Sequence, residues 1–82
     1  MTESTAKRVA TIVGQITAQD PDPEADGGAS LRDLGVSSLR MIELIGTLET
    51  SFSIRIDDDE IDEDNFGTLA GLIRYVEEKT AG

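Results

Sequence analysis

Residues 34–52, LGVSSLRMIELIGTLETSF, constrain this chain more than any other stretch. After a loop bearing Gly35, the apolar residues Leu39, Ile42, Ile45, Leu48 and Phe52 alternate between three- and four-residue spacing, with Met41 and Leu44 beside them. That period describes one face of an α-helix, opened by Ser37 or Ser38 at its first turn. The stripe is wider than one buried face, and a chain of 82 residues builds only a small core. Part of it is therefore expected to meet a partner. Gly46, which costs about 1 kcal/mol relative to Ala inside a helix, is expected to mark a close approach.

Such a helix needs other apolar faces to lie against. Val9, Ile12, Val13 and Ile16 recur at helical spacing and predict a first helix over residues 5–17, with Lys7, Arg8, Thr11 and Gln15 on its wet side. The polar residues 1–4 before it are expected to fray. Over residues 18–37 the composition shifts to Asp20, Pro21, Asp22, Pro23, Gly27 and Gly28, which break helices and predict a long loop. Long loops in compact domains carry function or are pinned by apolar contacts. Leu31 and Leu34 are the expected pins, with Ser30 capping a short turn. Beyond Phe52, Ile54 and Ile56 are spaced so that an extended link drops both onto the core. The acidic run DDDEIDEDNFG holds Ile61 and Phe66, the anchors of a short, irregular third helix. Gly67 breaks the chain, and Thr68 is the expected N-cap of a last helix running to about residue 79 with Leu69, Leu72, Ile73 and Val76 buried. Nothing repeats and nothing alternates as a strand does. The predicted fold is all-α, a small four-helix bundle of three main helices and a short one, in one domain spanning residues 1–82.

Seventeen acidic against seven basic residues give a net charge of −10, a field that repels nucleic acid and anionic membrane and attracts basic protein surfaces. There is no Cys, hence no disulfide, thiol nucleophile or thiolate metal site, and any thiol chemistry must be imported. There is no His, which excludes Ser-His-Asp and Cys-His catalysis within the chain. Paired carboxylates would need a desolvating cleft that a domain of this size does not offer. Calcium is not expected on the acidic run either: an EF-hand loop begun at Asp57 puts Asp62 where Gly is required, and one begun at Asp62 puts Ile73 where the bidentate Glu belongs. Gly27-Gly28 follows no strand and lacks the Lys of a phosphate-binding loop. The N-terminus has no secretory pattern, and no stretch approaches the roughly 20 apolar residues of a membrane span. The expectation is a cytoplasmic, non-catalytic monomer that binds neither nucleic acid nor membrane.

The serine pair Ser37-Ser38 stands apart from these exclusions. A serine at a helix start is ordinarily an N-cap, but the surrounding residues say more. Leu34-Gly35-Val36-Ser37-Ser38-Leu39 resembles the Leu-Gly-x-Asp-Ser-Leu hallmark of the acyl and peptidyl carrier protein family. Glu43-Leu44 stand where that family has its Glu-Leu pair, and the likeness runs without gaps through Phe52, Ile54, Ile56 and Phe66-Gly67-Thr68 to Tyr75-Val76. It covers residues 31–78 well and the first helix by pattern alone.

The resemblance implies that Ser38 is esterified with 4'-phosphopantetheine from coenzyme A by a phosphopantetheinyl transferase, and that cargo rides on the arm as a thioester. Ser37 is then the cap. Leu39, Ile42, Glu43 and Glu49 are the expected contacts for acyl-loading and acyl-processing enzymes with basic docking surfaces. Two residues depart from the family pattern: Ser37 replaces its usual Asp, and Arg40 puts a cation in the first turn of the helix. They favour an acyl carrier of polyketide or other secondary-metabolite assembly. Aminoacyl carriage in nonribosomal peptide synthesis and fatty-acid synthesis are the alternatives within the family, and an unmodified acidic interaction module is the rival outside it.

Overall fold

A computed structural model describes residues 4–81. They form α1 (Thr5–Thr17), α2 (Ser38–Phe52), a single 3-10 turn at Asp58–Glu60, α3 (Glu63–Phe66) and α4 (Leu69–Ala81). No strand occurs among the described residues, and one isolated antiparallel bridge joins Ser30 to Thr68. The fraying expected at the N-terminus falls on residues 1–3, outside the described residues, whereas the Ser4 hydroxyl caps α1 by accepting the Lys7 N–H at 3.2 Å.

Each helix begins where a side-chain oxygen satisfies an orphan amide. Ser37 caps α2, Asp62 caps α3 by accepting the Asn65 N–H at 2.9 Å, and Thr68 accepts the Gly71 N–H at 3.0 Å at the entry to α4. The last helix continues to Ala81 rather than ending near residue 79, since neither Gly nor Pro intervenes before Gly82. α1 packs against both α2 and α4, and α3 packs against α4. Val9 and Val13 of α1, Leu44 and Leu48 of α2, and Leu69, Leu72 and Val76 of α4 are wholly buried where they meet.

Helix α2 is turned so that Met41, Leu44, Ile45, Leu48 and Phe52 face the core, while Leu39 and Ile42 are left outside. Ile45, Leu48 and Phe52 of the stripe read from spacing therefore face inward, while at its first two positions Met41 and Leu44 take the inward places of Leu39 and Ile42. At its far end α2 has no basic residue in its own last turn. Arg8 of α1 supplies one: its Nη2 donates to the Ser51 carbonyl at 2.8 Å, and its guanidinium lies 4.1 Å from the centre of the Phe52 ring. A cation is favourable at that end of the helix dipole. Gly46 does not mark a close approach: it is exposed, and a Cβ there would meet no atom within 4 Å. A helical glycine that does mark a close approach is Gly71 of α4, where a Cβ would stand 2.5 Å from the Asp64 carbonyl oxygen.

The long loop is pinned as expected by Leu31, with Leu34 half-buried, and also by Val36, which is as deeply placed as the core. Val36 donates its N–H to the Leu31 carbonyl at 2.9 Å, and Ser30 caps the turn by accepting the Asp33 N–H at 3.0 Å. Gly35, at φ +104°, takes a backbone shape that other residues adopt only with strain. Three backbone bonds then tie this loop to the junction of α3 and α4: Leu31 N–H to Gly67, Leu69 N–H to Ala29 and Ala70 N–H to Gly27. These bonds fix the end of the loop that delivers Ser37 and Ser38.

Candidate functional site

The two serines at the entry to α2 are in different states. Ser37 lies outside the helix with extended backbone, and its oxygen accepts the Arg40 N–H at 3.3 Å while its carbonyl accepts the Met41 N–H at 2.8 Å. Ser38 is the first helical residue, exposed, and its hydroxyl has no hydrogen-bond partner among the described residues. The amides of that first turn are the positive end of the helix dipole, where a phosphate ester is favoured. Beside the serines runs an open groove of about 880 Å³. Ser37, Ser38 and Met41 form its α2 side, Ile61 and Phe66 stand opposite, and Asp62 and Glu63 also line it.

Along the outward face of α2, Leu39 and Ile42 are 72% and 69% exposed, the large apolar side chains left in water among the described residues. Arg40 is a cation in the turn that the dipole makes unfavourable for it. Its Nη1 pairs with the Glu43 Oε1 at 2.8 Å, so this face is locally charge-balanced in an acidic chain. Of the expected partner contacts, Leu39, Ile42 and Glu43 are exposed. Glu49 is half-buried, and its carboxylate accepts the Ile56 N–H at 3.0 Å, holding the link that follows α2.

A further cluster, not singled out from the sequence, lies next to the groove residues Ile61 and Phe66. The Glu60 Oε1 accepts from the Tyr75 hydroxyl at 3.0 Å, the Lys79 ammonium at 2.9 Å and the Asp57 N–H at 3.1 Å. Lys79 and the Asp57 amide hold the Glu60 carboxyl below its usual range. Burial, reinforced by that carboxylate, pushes the Tyr75 hydroxyl above its ordinary value. The Asp57-x-x-Glu60 spacing, a helix-entry box with Asp as the leading residue, is the signal that would have found Glu60.

Residues 7–76 match a family model described as the phosphopantetheine attachment site. The chain belongs to that family. 4'-Phosphopantetheine is accordingly its covalently bound cofactor. The geometry fits such a group, since the α2 entry has an unencumbered hydroxyl, the open end of a helix dipole and an adjoining groove. Among its relatives, an acyl carrier protein of Zymomonas mobilis subsp. mobilis is 34% identical over 77 residues, spanning 94% of this chain and 96% of that protein. An acyl carrier protein of Caulobacter vibrioides is 32% identical over 75 residues, spanning 92% and 94%. The solution structure of a holo acyl carrier protein from Nitrosomonas europaea is similar in fold, with a TM-score of 0.79 at 25% identity over 98% of this chain and 100% of that one. The all-helical fold and the family resemblance read from residues 31–78 both stand. No helix among the described residues is long and apolar enough to cross a membrane.

Proposed function

We propose that the chain is an acyl carrier and that Ser38 is the residue on which 4'-phosphopantetheine is esterified. The observation that supports this is the contrast between the serines: Ser37 is committed to the helix cap, while Ser38 offers an exposed, unengaged hydroxyl beside the groove. When bound, the group supplies the terminal thiol that a chain without Cys lacks. The task of the chain is presentation. With no His to act as base, it leaves activation of the hydroxyl to a phosphopantetheinyl transferase and its Mg2+. Modification draws on coenzyme A, and the cytoplasm is where we place the reaction.

Leu39, Ile42 and Glu43 are the proposed contacts for loading and processing enzymes, with the acidic residues 57–64 steering basic partners toward the same end of the molecule. Glu49 is a weaker member of that set because its carboxylate is already engaged. The missing Asp at Ser37 and the Arg40–Glu43 pair support a specialised partner set, and polyketide or other secondary-metabolite assembly is the reading we favour.

Incubation with coenzyme A, Mg2+ and a promiscuous phosphopantetheinyl transferase, followed by intact mass measurement, tests the carrier reading. One added phosphopantetheine is expected; an unchanged mass would favour an unmodified interaction module. The specialised partner set is tested with a fatty-acid ketosynthase acting on the acyl-loaded protein. Ser37→Asp combined with Arg40→Ala should raise its turnover several-fold, and equal turnover on both proteins argues against the reading.

A further inference from the structure

The two ends of the acidic segment before α4 are held by different means. Its C-terminal end is tied by backbone: Ser30 bridges Thr68, and Leu31 donates to the Gly67 carbonyl at 3.1 Å. Its N-terminal end carries the exposed carboxylates Asp57, Asp58 and Asp59, which repel one another and their neighbours Asp62, Glu63 and Asp64. There the tether is a side chain. Glu60 gathers Tyr75 and Lys79 of α4 and the Asp57 amide onto one carboxylate oxygen, and its own carbonyl accepts the Asn65 side-chain amide at 2.9 Å. The side chains of Glu60 and Lys79 are only 31% and 27% exposed, so this pair is better shielded than Arg40–Glu43. Next to Glu60 in sequence is Ile61, on the groove wall opposite Ser38, and the ring of Phe66 on the same wall lies 5.4 Å from that of Tyr75.

We propose that Glu60 is a positioning residue for the carrier site, its carboxylate clamping the α3 segment to α4 and thereby setting the width of the groove that receives a group attached at Ser38. The groove part of this inference rests on Ser38 being the attachment residue; the clamp does not. Among the helices α3 packs chiefly against α4, so releasing Glu60 loosens the Ile61 wall without disturbing the contacts of α1 with α2.

Amide hydrogen exchange on the unmodified chain tests the clamp. Glu60→Ala should speed exchange of amides 61–66 at least five-fold while those of α1 stay at the wild-type rate. Glu60→Gln, which keeps an acceptor for Tyr75 and Asp57 but loses the Lys79 ion pair, should fall between. Unchanged exchange over 61–66, or an equal rise across the whole chain, overturns the clamp. In a second arm both proteins are loaded from a coenzyme A analogue carrying an environment-sensitive dye. Redder emission from Glu60→Ala than from wild type is expected, and identical emission overturns the effect on the groove. Failure of wild type to take up the dye counts against Ser38 attachment, and the exchange result still decides the clamp.

Discussion

The Ser37 oxygen accepts an amide while the Ser38 oxygen is exposed, so the same substitution at adjacent positions has opposite consequences. Ser37→Ala removes an N-cap and should cost about 1 kcal/mol of stability, seen as a lower thermal midpoint, with modification of the protein retained. Ser38→Ala should leave the midpoint nearly unchanged. Gly46→Ala is expected to stabilise by up to about 1 kcal/mol, since it improves helix propensity and a Cβ there meets nothing. The expectation of a close approach at Gly46 rests on the cost of a glycine inside a helix, which usually has a packing reason; only the rotation of α2 reveals that it faces water. Glu49 was legible as a helix-surface acid, but its bond to the Ile56 amide depends on how the link folds back, which no local pattern encodes. The rule for helix entry leaves Ser37 and Ser38 both open as the cap, and the family resemblance puts it on Ser37, where the structure has it; Ser38 as the proposed attachment residue rests on that same resemblance.

At the scale of elements, α2 has a buried and an exposed apolar side whose substitutions separate cleanly. Leu44→Ala opens a cavity in the core and should cost about 2–5 kcal/mol, enough to unfold much of a small domain. Ile42→Ala should change stability by less than about 0.5 kcal/mol, as measured by urea titration, because the side chain is in water in the folded chain. Arg8→Ala removes both the bond to the Ser51 carbonyl and the contact with Phe52, and should cost about 1–2 kcal/mol. The helices themselves were readable from period, caps and breakers, and their bounds moved by no more than two residues at α4. The bonds that anchor the long loop to residues 67–70 were not, since they join backbone groups distant in sequence and carry no side-chain signature. The Glu60 cluster shares that origin: Tyr75 and Lys79 lie on one face of α4, and only the packed fold brings Glu60 to them.

Across the whole molecule, a net charge of −10 makes repulsion the dominant long-range term. Raising NaCl to about 0.5 M should therefore increase the thermal midpoint, because screening relieves more repulsion than it weakens in the few surface pairs. Acid acts through a different route. Glu60 has a folded pKa below its ordinary 4.5, so its bonds stabilise the fold above that pH and are lost as pH falls through the lower folded value. Asp22, whose carboxylate accepts the Ala25 and Glu24 amides, adds to the same loss below its ordinary 3.8. Thermal melts of wild type should therefore fall more steeply below pH 4.5 than those of Glu60→Gln. Attachment at one oxygen of this acidic bundle is decided by a single reaction. Wild type, Ser37→Ala and Ser38→Ala are incubated side by side with coenzyme A, Mg2+ and a promiscuous phosphopantetheinyl transferase, and their intact masses are compared. Wild type and Ser37→Ala should each gain one phosphopantetheine while Ser38→Ala gains none; phosphopantetheine on Ser38→Ala would put the attachment on another residue.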